Sequence, residues 1–332
     1  MRIATIVLSL LALAWCGGAR AACEGMYPVG YRTLSLADGR EVSVWYPATR
    51  ASASTPHAGA PNRGEHADSP VATCAARWPL VLFSHGLAGC NEQAVFITEE
   101  IARHGYVVAA PNHRDAICGV VLERKFPGRP GSTRPPFLQP QRWTADAWRE
   151  RMLDLRETLR LVQGDAALGR AIDPTRVALM GHSLGGYTVL GMAGGWPDWS
   201  LPGVRAVLAF SPYVLPYLAQ HRLAQLRVPV MYQGGTYDFG ITPNVVRPGG
   251  AYDASAAPKY LVELAGATHM AWTNLPCSDH RLVADCLAAV TNARLVDAYA
   301  IAFLDRHLKG EHAPLLDESG DGLAAYRHAA SK

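Results

Sequence analysis

The chain has 332 residues, with 31 lysines and arginines against 28 aspartates and glutamates, and 49% of its residues are hydrophobic. That balance excludes wholesale disorder, which requires low hydrophobicity and high net charge. A formal charge of +3 leaves the global field silent about partners, and no nucleic-acid partner is expected.

The first element is not part of the folded domain. Met1-Arg2 is a basic start, Ile3 to Trp15 is apolar, and Ala19-Arg20-Ala21 is a small-residue cleavage pattern. This reads as a secretory signal peptide, residues 1–21, cut after Ala21. The apolar run is shorter than the ~20 residues of a spanning helix, and no later stretch is long and apolar enough to cross a bilayer. The expected product is a single domain over residues 22–332, periplasmic or extracellular. Without Arg2 and Arg20 it is almost neutral. Its six cysteines, Cys23, Cys74, Cys90, Cys118, Cys277 and Cys286, are an even number in an exported chain, which points to disulfides. They include no C-x2-C pair and no paired histidines, so no metal site is expected.

Residues 30–47 read as a hairpin. "YRTLSLAD" alternates, Asp38-Gly39 is the turn, and "EVSVWYP" returns. Residues 48–77 are rich in Ala, Ser, Pro, Gly and His and read as a surface loop. "PLVLFSHG" is then a short apolar run of the kind buried on both faces of a sheet. A helix from Asn91 to about His104, stopped by Gly105, leads to a second such strand, "YVVAAPNH". A Pro/Gly/Arg-rich stretch follows. Thr144 to Gln163 predicts an amphipathic helix, with Trp148, Met152, Leu155, Leu159 and Val162 on one face.

The alternation continues. "RVALMGHS" is a strand and turn, Leu184 to Gly194 a helix, and "VRAVLAF" a strand. Pro216 to Leu226 is helical, "VPVMYQGG" and "KYLVELAG" are strands, and Ala293 to Lys309 is a closing helix. Apolar strands alternating with amphipathic helices predict the α/β class. The sheet is mostly parallel, helices cover both faces, and the opening hairpin is an antiparallel edge.

In that frame "GHSLGG" follows a buried strand and opens a helix. Strand, G-x-S-x-G, helix is the pattern of a nucleophile elbow, which makes Ser183 the candidate nucleophile. A serine hydroxyl needs a base, and the base needs an orienting acid. On this fold they follow in the order Ser, Asp or Glu, His. No acid occurs between Asp198 and Asp238, and Asp238 falls just past the strand Val228–Gln233. His269 lies in "AGATHMAW", past the following strand. Asp238 and His269 are the expected acid and base. The oxyanion donors expected are the amides of Leu184, next to the nucleophile, and Leu87, in the loop after "PLVLFSHG". Tyr187, Tyr213, Phe239 and Trp272 lie near this site in sequence and either line a substrate pocket or pack the core. Ser211 to Gln225 is a candidate partial cap. The eight Arg and Lys between 114 and 151 read as either a solvated, ion-paired loop or a rim for an anionic substrate.

"FSHGLAG", "IARHGYVVAAPNHRD" and "GHSLGGYTVL", with "WYPA" upstream, resemble the platelet-activating-factor acetylhydrolase family and its bacterial dienelactone-hydrolase-like relatives. The likeness spans roughly residues 30–310. It implies an α/β-hydrolase fold and a secreted carboxylic ester hydrolase with no metal or organic cofactor, in which Ser183, His269, Leu87 and Leu184 match position by position. The family's eukaryotic members carry the acid after the strand that follows the elbow helix. Here that place reads "LAFSPYVLP", with Ser211 and no carboxylate, so Asp238 must serve one strand later. On this map Cys90–Cys118 bridges loops after adjacent strands, Cys277–Cys286 staples the segment after His269, and Cys23–Cys74 remains by subtraction.

The expected activity is hydrolysis of short acyl esters, a small-molecule substrate. Polyester or lipid hydrolysis, as by a cutinase or lipase, and amide hydrolysis use the same apparatus. The rival from a different class is a non-catalytic exported binding protein on the hydrolase fold. The sequence leaves the oligomeric state open.

Overall fold

The computed structural model describes residues 25–49, 66–67, 69–73, 76–117 and 128–330. The signal-peptide reading, Cys23, Cys74 and Cys118 all lie outside these residues.

The described residues form one ten-stranded sheet. Its strands are β1 (Val29–Ser35), β2 (Glu41–Pro47), β3 (His66–Ala67), β4 (Trp78–Ser84), β5 (Val107–Pro111), β6 (Ile172–His182), β7 (Val204–Phe210), β8 (Val230–Gly235), β9 (Lys259–Leu264) and β10 (Leu323–Ala329). The spatial order is β10-β9-β8-β7-β6-β4-β5-β2-β1-β3. From β5 to β9 every neighbouring pair is parallel. The β1–β2 hairpin joins β5 antiparallel, as its alternation predicts.

The apolar runs explain the parallel centre. All seven residues of β4 are buried. Side chains alternate across a strand, so Leu80 and Leu82 enter the core on one face while Val81 and Phe83 enter the core on the other. Helices α1 (Val95–Arg103), α2 (Arg149–Gly164), α3 (Leu168–Ala171), α4 (Leu184–Leu190), α5 (Leu215–Ala219), α6 (Pro243–Val246), α7 (Ala251–Ala254), α8 (Val283–Ala289) and α9 (Thr291–Leu304) surround the sheet. Among the described residues, no single helix is long and apolar enough to cross a membrane.

Several elements differ from the sequence expectation, among them α1, which begins at Val95 rather than Asn91. Helix α2 begins at Arg149, not Thr144, because Thr133 N–H donates to Asp146 O and Trp148 N–H donates to Thr133 O across the preceding segment, and Trp148 is left-handed, with φ 57°. A left-handed residue cannot continue a right-handed helix. Residues 211–225 form only a short helix, α5, and a 3-10 turn at Leu223–Gln225. Strand β10 adds a second antiparallel edge on β9. Its "LAAYRHA" has no clear alternation to announce it. The loop at 48–77 is partly pinned, since Ala48 and Val71 form an antiparallel bridge and β3 pairs with β1.

The parallel register sets one edge for the chemistry. Ser84 stands beside Gly181, His182 beside Phe210, and Phe210 beside Gln233. The loops that leave these strand ends therefore converge. Cys277–Cys286 closes a separation of nine residues just beyond this edge, and Cys90 is also disulfide-bonded. Loop-closure entropy assigns the Cys277–Cys286 bridge about 2–3 kcal/mol. The Cys277→Ser/Cys286→Ser protein should lose about that much in a denaturant melt; an unchanged midpoint and slope would refute the estimate.

Candidate active site

Ser183 sits between β6 and α4 at φ 54°, a region rarely adopted by a residue with a side chain. Close packing holds it there. A Cβ on Gly185 would lie 1.9 Å from the Ser84 carbonyl oxygen, and one on Gly181 2.4 Å from the Gly185 oxygen. The two glycines of G-x-S-x-G are thus spatial requirements: the backbone of α4 touches the end of β4. Strand β7 fixes the bend from the other side, with Ser183 N–H donating to Phe210 O at 2.9 Å and Tyr213 N–H to Ser183 O at 3.0 Å.

The three residues expected to act together are brought together. Ser183 Oγ lies 3.0 Å from His269 Nε2. His269 Nδ1 lies 3.3 Å from Asp238 Oδ1. His269 is partly exposed at the start of a 3-10 turn, whereas Asp238 is buried. Burial alone would raise the Asp238 carboxyl pKa. Hydrogen bonds from His269, Ser211 and Thr242 outweigh it and hold the group below its usual range, as a carboxylate.

The two amides proposed for an oxyanion differ in setting. Leu184 opens α4, and a first-turn N–H has no carbonyl partner inside its own helix. Leu87 lies between two committed amides: Gly86 N–H donates to Gln93 Oε1 at 2.8 Å, and Ala88 N–H to Asp115 Oδ2 at 3.1 Å. A buried cluster holds this loop from below. The Arg151 guanidinium donates to the carbonyls of His85 (2.7 Å) and Gly86 (2.9 Å) and to Asp115 (2.8 Å).

Sequence reasoning missed several residues of this frame. Gln93 Nε2 donates to His182 Nδ1 at 2.8 Å, and His182 Nε2 meets the His269 carbonyl at 2.9 Å. Because Gln93 donates and the carbonyl can only accept, His182 carries its proton on Nε2 and is neutral. The variable position of G-x-S-x-G therefore ties the loop that carries Leu87 to His269. Ser211 and Thr242 both reach Asp238. No local pattern marks Gln93 or Arg151, whose partners are distant in sequence; Thr242 lies four residues past Asp238, and Ser211 holds the place where the resembled family carries its acid. The "HRD" at 113–115 was the nearest available signal.

A second Ser–His–Asp set lies beneath. Ser84 Oγ is 2.8 Å from His113 Nε2, and His113 Nδ1 is 3.0 Å from Asp154, which Arg40 grips at 2.7 and 2.8 Å. Ser84 is fully buried, so no ester can reach it. This set braces the sheet edge.

The aromatic candidates separate. Tyr187 and Trp272 are wholly buried, with Tyr187 bonded to the Ala147 carbonyl and Trp272 to Gln233. Tyr213 is buried among Phe137 and Trp143. Phe239 is 78% exposed, stacked beside the exposed Tyr237. Leu87, Ile117, Met270 and Leu275 are also exposed, each on a loop that leaves the same sheet edge. The loops are knit together: Ile117 N–H donates to Gly89 O, and Asn274 bonds Glu92, Gln93 and Val95. Of the basic residues at 114–151, Arg114, Arg129, Arg134 and Arg151 are ion-paired. Arg124 and Lys125 lie outside the described residues.

A parallel sheet with an antiparallel edge hairpin and a serine at a tight strand-to-helix bend define the α/β-hydrolase fold. The comparisons with known proteins narrow this. The profile of platelet-activating factor acetylhydrolase, isoform II, matches residues 59–128. Cutinase 2 of Thermobifida cellulosilytica is 24% identical over 233 residues, covering 70% of this chain and 69% of that protein. A cutinase of Thermobifida fusca is matched at 24% identity over 70% of this chain, which spans only 56% of that protein's length. The platelet-activating factor acetylhydrolase of Cavia porcellus is 28% identical over 145 residues, or 37% of this chain and 33% of that protein. In structure, a ferulic acid esterase from Streptomyces cinnamoneus superposes with a TM-score of 0.61 at 21% identity, covering 91% of this chain and 96% of that one. The chain has the α/β-hydrolase fold, and the relatives it resembles are named as carboxylic ester hydrolases.

The buried histidines set an acid limit. Burial holds His85 well below the ordinary imidazole value, His113 at about 4 and His182 at about 3. The unfolded chain protonates these rings near about 6.5, so it binds more protons than the folded chain below that pH. Their stabilising contribution is complete above about 6.5 and shrinks as pH falls towards 4 and 3, by up to roughly 1.4 kcal/mol per group per pH unit. The melting temperature should fall steadily from pH 7 to pH 5, with proton uptake on unfolding visible in calorimetry. A flat profile would contradict it.

Proposed function

We propose that this protein is an exported serine ester hydrolase that works through Ser183, His269 and Asp238 and an acyl-enzyme. The observation that carries the reading is the 3.0 Å contact between Ser183 Oγ and His269 Nε2, backed by buried Asp238 at 3.3 Å from Nδ1. Hydrogen-bond reach from nucleophile to base, and from base to orienting acid, is the geometry that nucleophilic acyl transfer needs.

Ser183 Oγ attacks the ester carbonyl while His269 Nε2 takes its proton. The Leu87 and Leu184 amides receive the developing oxyanion; a donor placed this way typically contributes about 3 kcal/mol. His269 then protonates the leaving alcohol. Water, deprotonated by the same nitrogen, releases the acid and restores Ser183. Asp238 stabilises the imidazolium without taking its proton.

Short acyl esters are the leading substrates. A specific observation favours a second reading alongside them, an ester presented on an apolar polymer or aggregate. Leu87, Ile117, Tyr237, Phe239, Met270 and Leu275 are exposed on the loops around the serine. An apolar rim of this kind marks an interaction site. Two Thermobifida relatives are named cutinases. The apolar stretch before Ala21 supports export.

A p-nitrophenyl ester panel from acetate to palmitate tests both points. Wild-type protein should turn over the short esters fastest, and Ser183→Ala should lose about 10⁴-fold or more in kcat. Activity that survives in Ser183→Ala would rule out the assigned nucleophile. Phe239→Ser should leave p-nitrophenyl acetate turnover within about twofold yet slow hydrolysis of an insoluble aliphatic polyester severalfold. Equal rates on the polyester would remove the rim reading and leave the triad standing.

A further inference from the structure

Ser211 follows the last residue of β7, is fully buried and has φ 40°. For a residue with a Cβ that conformation is strained, and such strain persists only where the surroundings enforce it. Its main-chain N–H is anchored to Gln233 O at 2.7 Å. Its side chain stands between two members of the triad, bonded to Asp238 Oδ2 on one side and 2.7 Å from His269 Nδ1 on the other. The hydroxyl is thus nearer to Nδ1 than the Asp238 carboxylate oxygen, which is 3.3 Å away.

The donor pattern follows from chemistry. The carboxylate can only accept, so the Ser211 O–H donates to it. Its oxygen then has only acceptor capacity left for the imidazole, which requires a proton on Nδ1. With Nδ1 protonated, the lone pair of neutral His269 is on Nε2, facing Ser183 Oγ at 3.0 Å. That is the tautomer a general base needs.

We infer that Ser211 is a positioning residue of the hydrolytic reaction, a hydroxyl that links Asp238 to His269 and sets the imidazole tautomer and tilt. This rests on the triad reading of Ser183, His269 and Asp238. The same four-residue stretch, 210–213, also holds the nucleophile, through Phe210 O and Tyr213 N–H on the Ser183 backbone. The end of β7 therefore registers all three triad members against one another. When the imidazolium forms, its Nδ1–H charge is shared between a carboxylate and a hydroxyl polarised by that carboxylate, and no proton leaves His269 through this path.

Two substitutions separate this role from a structural one. Ser211→Gly removes the hydroxyl and suits the positive φ, so the fold should melt at the wild-type temperature or higher. Ser211→Ala removes the hydroxyl and keeps the Cβ. With p-nitrophenyl acetate, both should lower kcat by about 10-fold or more, an effect typical of an orienting contact acting in the transition state, with KM within about twofold. A rescue adds an independent arm. Asp238→Asn should cost about 10⁴-fold; adding Ser211→Asp puts a carboxylate within reach of Nδ1 and should restore about 10-fold or more of that loss. The proposal is overturned if Ser211→Gly and Ser211→Ala keep kcat within twofold of wild type while Ser183→Ala is inactive, or if Ser211→Gly loses activity only in proportion to a lower melting temperature. Full activity in Ser183→Ala would instead remove the triad reading, and this inference with it.

Discussion

One contact organises the molecule: a serine hydroxyl and an imidazole nitrogen 3.0 Å apart, supplied by residues 86 positions apart in the chain. Neither group could hold that separation alone. Ser183 is presented by a left-handed bend that two glycines make sterically possible and that the β7 backbone locks. His269 is presented by a loop whose carbonyl is tied to His182, the neighbour of Ser183. The parallel register of the sheet brings both to one edge, and apolar packing on both faces keeps that register.

The polar apparatus at that edge is largely buried, and buried polar groups are tolerable only when partnered. The structure meets this with fixed roles. His85 donates through Nδ1 to Gly86 O and accepts His113 N–H on Nε2. His113 accepts from Ser84 and donates to Asp154. Each ring has one donor and one acceptor nitrogen in use, the pattern of a neutral imidazole. Burial then keeps them neutral. Arg151, wholly buried, neutralises Asp115 and holds two carbonyls, of His85 and Gly86, in the loop that carries Leu87. The region under the Leu87 amide is therefore a hydrogen-bonded, ion-paired floor, which suits the oxyanion role proposed for that amide.

Much of this was legible in the sequence because it obeys local rules. Buried parallel strands read as apolar runs such as "PLVLFSHG", and the elbow reads as G-x-S-x-G between a strand and a helix. That Asp238 and His269 would lie near Ser183 was legible by order, since they are the acid and the histidine that follow successive strand ends. What stayed hidden depends on partners far apart in the chain. Gln93 and His182 are bonded across 89 positions, and Ser211 and His269 across 58. The start of α2 was misread because the bonds between Thr133 and residues 146–148 compete with helix formation, and composition does not show that competition. Tyr187 and Trp272 were close to the site in sequence yet turned into the core, since adjacency along the chain does not set the direction of a side chain.

The central claim is that Ser183 is the atom-donating nucleophile. The most direct measurement is peptide mapping by mass spectrometry after treatment with a p-nitrophenyl alkylphosphonate, which phosphonylates an activated serine and releases p-nitrophenol. The account predicts stoichiometric release and a single adduct on the peptide that carries Ser183, abolished in Ser183→Ala. An adduct on another serine with Ser183 unmodified, or no adduct in protein that still hydrolyses esters, would contradict it.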